Sequence, residues 1–292
     1  MIRQLVTRLA AVAVIATTSG AAVADDGLGN IDFPNSGSAA AQPAFLEGVK
    51  ALHSFQFDEA GLAFREAREI DPDFALAYWG EAMSNNKPLW GIQDTARAHA
   101  ILESLAPGFE ARLAKAPTDR EKAWLAAAQQ LFYGPDDKLA RDQAYSDALG
   151  RMHERWPEDH EVAIFYALSL LGTVRPGDEG FRRQAQAAAI SMQVFDENPR
   201  HPGAAHFIIH SFDDPDHAIL ALPAARVYAG IAPDAAHALH MPSHIFVQLG
   251  MWQEVVNSNI DAYRAAFELN RRLDLPEGAR ISTRCRGSPT AT

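Results

Sequence analysis

Seven of the eleven histidines fall between residues 201 and 244, and four of them form two matching pairs. His206 and His210 are four residues apart, as are His240 and His244, and the second pair repeats the first after 34 residues. A step of four places two side chains on one face of an α-helix. Neutral imidazoles so placed can bind zinc, copper, nickel or iron. Asp213 and Asp214 follow closely, and either could ligate or orient a histidine from behind. Met241 could soften a copper site, although HFIIH lacks the glutamate of the zincin pattern. Acid–base catalysis is a second chemistry, because histidine exchanges protons near neutral pH. Ser211 and Ser243 abut histidines without defining a triad. Recognition of a peptide, protein or small molecule by hydrogen bonding is a third. Against all three stands ordinary packing: His201 and His217 could cap or bridge turns, and His206 and His240 could be satisfied between helices.

These residues must be held by helices, because the chain is rich in Ala, Leu, Glu, Arg and Gln and no segment alternates convincingly as a strand. The apolar period predicts helices near 43–54, 57–70, 74–86, 93–106, 118–132, 136–155, 159–172, 179–196, 203–212, 216–230, 235–249 and 252–270. Asp71-Pro72, Asn198-Pro199 and Ala232-Pro233 mark helix ends. The short separations favour antiparallel pairs. Pro242 falls inside the span 235–249, where it either kinks a helix carrying His240 and His244 or begins a shorter one after a HALHM loop.

Ala60, Phe64, Ala67 and Pro72 have the spacing of the second helix and turn of a tetratricopeptide repeat, and Ala221, Ala225, Tyr228 and Pro233 fall in the same frame. On these residues the sequence resembles the tetratricopeptide repeat superfamily. It is also similar to a family of exported bacterial repeat proteins marked by FDEAGLAFREAREIDPDFALAYWGEAM, HPGAAHFIIHSFDDPDH and APDAAHALHMPSHIF, over about residues 43–270. The resemblance implies an all-α, right-handed solenoid of stacked antiparallel helix pairs, and no activity. It also implies that His206, His210, His240 and His244, at positions 5 and 9 of two first helices, look into a concave groove. Trp79 and Met83 occupy the same positions in an earlier repeat and would extend that wall, although Trp79, beside Tyr78 and Ala82, suits the core better. Members of that family look longer, which implies further C-terminal helices.

The remaining segments set the context. Arg3 and Arg8, the apolar run 9–16 and Ala22-Val23-Ala24 have the layout of a secretory signal peptide over residues 1–24. A periplasmic or secreted location follows, with no transmembrane segment in the mature chain. Residues 25–42 read as a flexible leader, 43–270 as the helical domain, and 271–292 as an irregular tail containing the single cysteine, Cys285. Removing residues 1–24 would take the formal charge from -11 to -13. So acidic a domain is ill suited to nucleic acid. There is no phosphate loop, dinucleotide fingerprint or nucleophile elbow. Gly250 reads as a turn residue, Trp252 as a packing anchor, Glu81 as solvated or helix-pairing, His53 as a cap or packing residue, and Asn257 and Asn259 as ordinary helix residues.

The leading expectation is an exported scaffold that binds a peptide, protein or small ligand in a histidine-lined groove, with a transition metal as the candidate cofactor. The alternatives are a metal-dependent enzyme, hydrolytic or redox, at the same histidines, and a metal storage or delivery protein.

Overall fold

The computed structural model describes residues 27–272 except positions 176 and 179, so the expected signal peptide, Cys285 and nearly all of the tail lie outside the described residues. The fold is all-α. In order the helices are Gln42–His53 (α1), Phe57–Ile70 (α2), Ala75–Met83 (α3), Thr95–Leu105 (α4), Phe109–Lys115 (α5), Asp119–Tyr133 (α6), Lys138–Arg155 (α7), His160–Gly172 (α8), Arg182–Glu197 (α9), Pro202–Ser211 (α10), Ala218–Ile231 (α11), Ala236–His240 (α12), Pro242–Gln248 (α13) and Trp252–Arg272 (α14). Two-residue strands, Asn86–Lys87 (β1) and Ile92–Gln93 (β2), pair antiparallel around a 3-10 turn at Pro88–Trp90. They shorten the helices expected over 74–86 and 93–106. The short α5 was not anticipated from the pattern. It begins after Gly108, whose φ of 78° suits a residue without a side chain.

Local chemistry explains several starts. Asp94, Asp137 and Asp159 each accept a backbone N–H in the first turn of α4, α7 and α8, and Thr118 with Glu121 forms a reciprocal capping box on α6. Most helices pack on the next in sequence, among them α1 on α2, α2 on α3, α6 to α11 in succession, and α13 on both α11 and α14.

The N-terminal core is aromatic. Phe64 of α2 is fully buried between Ala60 and Ala67, and a Cβ at Gly48 or Gly80 would overlap its ring. Trp79 is also fully buried, with ring centroids 4.9 Å from Trp124, 5.5 Å from Phe165 and 5.7 Å from Phe33. Trp79 is therefore a core residue and no part of a groove wall. Met83 is buried too and lines an apolar pocket with Leu52, Phe57 and Phe165, away from the paired histidines. A second core gathers Ala205, Ile209, Ala221, Ala225, Tyr228, Met241 and Ile245 from α10 to α13.

The segment expected to be a flexible leader is irregular but docked over residues 27–41. Phe33 is buried against Phe45 and Trp124. Asn30 donates to the carbonyl of Arg200 at 2.9 Å, and the Ser36 amide and hydroxyl donate to Glu121 at 2.8 and 2.6 Å. The irregular strap is anchored on the turn at Arg200 and on the Glu121 side chain of α6, which composition alone does not reveal. Trp252 also departs from expectation. It is 65% exposed at the start of α14, while Met251 and Val255 pack against the second core. Glu81 is buried and bridged by Arg65 and Arg68. No described helix is long and apolar enough to cross a membrane.

Candidate metal centre

The site is built at the meeting of α10, α12 and α13. His201 begins α10 by accepting the Ala204 N–H on its Nδ1, and Pro202 takes the first helical position, where no amide partner is needed. Five and nine residues beyond His201 come His206 and His210, one turn apart. Their ring centroids are 4.7 Å apart. From α12, His237 lies 5.0 Å from His206 and 6.4 Å from His210. His240 is 6.1 Å from His237, and His244 is 5.0 Å from His240 and 6.5 Å from His210. Five imidazoles thus form one contiguous cluster that contains both sequence-predicted pairs.

Pro242 opens α13 at its first position, and Met241 between the two short helices keeps helical dihedrals of -55° and -36°. HALH is therefore helical rather than a loop. The break costs one backbone bond but leaves His240 and His244 adjacent, their rings nearly perpendicular at 83°.

Phe55 covers the cluster. Its ring lies 4.4, 5.5 and 5.4 Å from His206, His210 and His237, and its φ of 53° is left-handed. A bulky residue rarely adopts that conformation, which places the ring where an ordinary turn would not. The Tyr228 ring stacks on His206 at 5.1 Å.

A hydrogen bond fixes which nitrogen of the His206 ring carries the proton. His206 Nδ1 faces the carbonyl oxygen of His53 at 2.6 Å, so Nδ1–H donates and Nε2 carries a lone pair. No described residue hydrogen-bonds Nε2 of His206 or His210, and both atoms are shielded from solvent. Burial is the main force pushing both histidines well below the usual imidazole range, and neighbouring histidines add to it. The rings are therefore neutral near pH 7, the form that binds a metal.

His206, His210 and His237 offer ligand nitrogens that all lie within 4.8 Å of one another. Tetrahedral zinc with bonds of 2.0–2.1 Å needs nitrogen separations of about 3.3 Å, which modest ring rotations would reach. The donor set fits a divalent transition metal: three imidazoles, two of which, His206 and His210, are held neutral by burial and keep a buried Nε2 that no described residue hydrogen-bonds.

A second close group, His53, Glu161 and His201, differs in character. Glu161 accepts from His53 Nε2 at 2.7 Å and from His201 Nε2 at 3.1 Å, and all three residues are buried. The nitrogens nearest the carboxylate are thus spent as donors. Burial opposes ionisation of Glu161, but the two imidazoles outweigh it and hold the carboxyl at about 2. This clamp joins α1, α8 and the start of α10, and its His53 carbonyl orients His206.

Asp213 and Asp214 take different roles. Asp213 accepts from His244 Nδ1 at 2.7 Å, orienting that ring rather than offering itself first to a metal. Burial would raise its carboxyl, yet the His244 contact prevails and lowers it. Asp214 turns away to brace the turn before α11, bonding the His217 ring and amide at 2.8 and 3.1 Å. Met241 is fully buried in the second core. The Ser211 hydroxyl is bound to the Phe207 carbonyl at 2.7 Å and is not poised as a nucleophile.

The repeat frame missed His237, because the equivalent position one period earlier is Gly203. The spacing His237, His240, His244 gave a signal for it, since steps of three and four keep all three on one helical face. Asn259, read as an ordinary helix residue, accepts from His240 Nδ1 at 2.8 Å. No protein-family model matches the sequence, and no curated protein shows significant similarity to it.

Proposed function

We propose that this chain is an exported metalloprotein in which a helical repeat scaffold holds a divalent transition metal at His206, His210 and His237. The observation that carries the reading is the convergence of three imidazole ligand atoms within 4.8 Å, on rings of which His206 and His210 keep a buried Nε2 that no described residue hydrogen-bonds. An unpaired buried acceptor costs about 1–3 kcal/mol, and a metal ion removes that cost. Full burial of His206 suits an enclosed ion better than a peptide lying along an open groove. Three protein ligands leave a coordination position for a small ligand or a peptide side chain. The repeat-stack reading draws support from helix-on-next-helix packing and from the Ala60, Phe64, Ala67 arrangement. Export rests on the sequence of residues 1–24.

The test is zinc content of the untagged protein after chelation and equilibrium dialysis. The His210→Ala/His237→Ala variant should lose at least one bound ion relative to the parent. Equal content in both would reject these residues as ligands.

A hydrolytic enzyme is the second reading, favoured by the His244–Asp213 pair beside the cluster, which could hold a proton for an attacking water. Absence of zinc-dependent cleavage of activated esters would exclude it, and cleavage that survives Asp213→Asn unchanged would remove the aspartate from the chemistry.

A further inference from the structure

His240 and His244 contain a second anomaly. The Asn259 amide donates its Nδ2 to the Val255 carbonyl at 2.8 Å, which leaves Oδ1 to accept from His240 Nδ1–H at 2.8 Å. The Asp213 carboxylate can only accept, so His244 also carries its proton on Nδ1. Both rings are thereby turned with Nε2 toward each other, 3.2 Å apart. Two neutral imidazoles in these tautomers aim lone pairs at one another, an arrangement that needs positive charge between or beside them. The separation matches the edge of about 3.3 Å between two nitrogens on one tetrahedral zinc. The separation itself needs almost no change, and each ring has only to turn so that the two lone pairs converge on one ion.

We infer that His240 and His244 form a second divalent-metal position adjacent to the first, making the cluster a two-metal centre. Asp213 and Asn259 are its orienting partners, the carboxylate also supplying negative charge behind one ligand. The two positions abut where His237 meets His240 and where His210 meets His244, at ring separations of 6.1 and 6.5 Å. With only two histidines, the second position leaves several coordination sites for water or for an anionic oxygen ligand. Paired metals commonly clamp such an oxygen between them, so the ligand class is a carboxylate or phosphate group. As a two-metal centre, the inference rests on the three-histidine reading above.

The experiment is zinc stoichiometry by mass spectrometry on the untagged full chain, stripped with chelator and dialysed against excess free Zn(II) at pH 7.5. Circular dichroism should verify the fold of each variant. The parent should hold two zinc ions, His240→Ala/His244→Gln one, and His210→Ala/His237→Ala one. A parent holding one ion, unchanged by the His240/His244 replacements, would overturn the second position and leave the first intact; a proton then bridges the pair. A parent holding a single ion that is lost in either variant would also overturn it, because all five rings would then serve one metal. A parent holding none would remove both readings. The parent stoichiometry decides the matter even if a variant fails to fold.

Discussion

The Nδ1–H of His206 donates to the carbonyl oxygen of His53 at 2.6 Å, across 153 positions of sequence. A backbone carbonyl cannot change its protonation, so it fixes the tautomer and the direction of Nε2 permanently. Behind it, Glu161 holds the side chain of the same His53 and the capping residue of the helix that carries His206. Ligand direction and helix position are thus set from one buried carboxylate.

Removing His206 should cost both metal and stability. His206→Ala leaves the His53 carbonyl unpaired in the interior and a void beside Phe55 and Tyr228. A loss of about 2–4 kcal/mol in the metal-free protein is expected from denaturant titration, together with loss of zinc. Unaltered stability would mean that the carbonyl contact is not made.

Glu161 should govern stability in acid. Its carboxyl lies at about 2 when folded against 4.5 when free, so the unfolded chain takes up the proton first as pH falls. This contribution, about 3 kcal/mol, is fully present above about pH 4.5 and is lost between there and about pH 2. Burial lowers His201 from 6.5, so its contribution likewise declines as pH drops below 6.5. Denaturation of the metal-free protein across pH 3–8 should show falling stability toward acid. Glu161→Gln should lower the plateau by about 3 kcal/mol and flatten the slope below pH 4.5.

Gly203 marks a close approach. A Cβ there would sit 2.7 Å from His53 Nδ1 and 2.7 Å from Ile164 Cγ2, neither at the end of a flexible chain. Gly203→Ala should destabilise by about 1–3 kcal/mol despite the better helix propensity of alanine. It should also weaken zinc binding by displacing α10, whereas Gly230→Ala, with open space at its Cβ, should raise stability slightly.

Asp213→Asn should preserve the fold, because the side chain is only partly buried. It removes the charge that orients His244. Zinc affinity at the His240–His244 pair should fall by about 10- to 100-fold, measurable by competition with a chromophoric chelator. An unchanged affinity would assign the aspartate to surface pairing alone.

The all-helical fold was legible because most helix boundaries carry local signals: proline after Asp71 and Asn198, capping aspartates, and an apolar period set by single residues such as Phe64. The union of His206, His210, His240 and His244 was legible through their common offset of 34 residues. His237 fell outside that frame because glycine occupies its earlier counterpart. The role of Glu161 was hidden more deeply, since its partners lie 108 and 40 residues away and nothing local in α8 distinguishes it. Phe55 gives no sequence sign of its left-handed backbone. The docked strap at 27–41 reads as flexible from composition, because its anchors at Arg200 and Glu121 lie far away in sequence.

The most direct test is a crystal of the zinc-loaded chain with diffraction recorded on both sides of the zinc absorption edge. An anomalous peak about 2.0–2.1 Å from the ligating nitrogens of His206, His210 and His237 is the result expected. Zinc located only elsewhere, or no peak within bonding distance of these three rings, would contradict the metal centre.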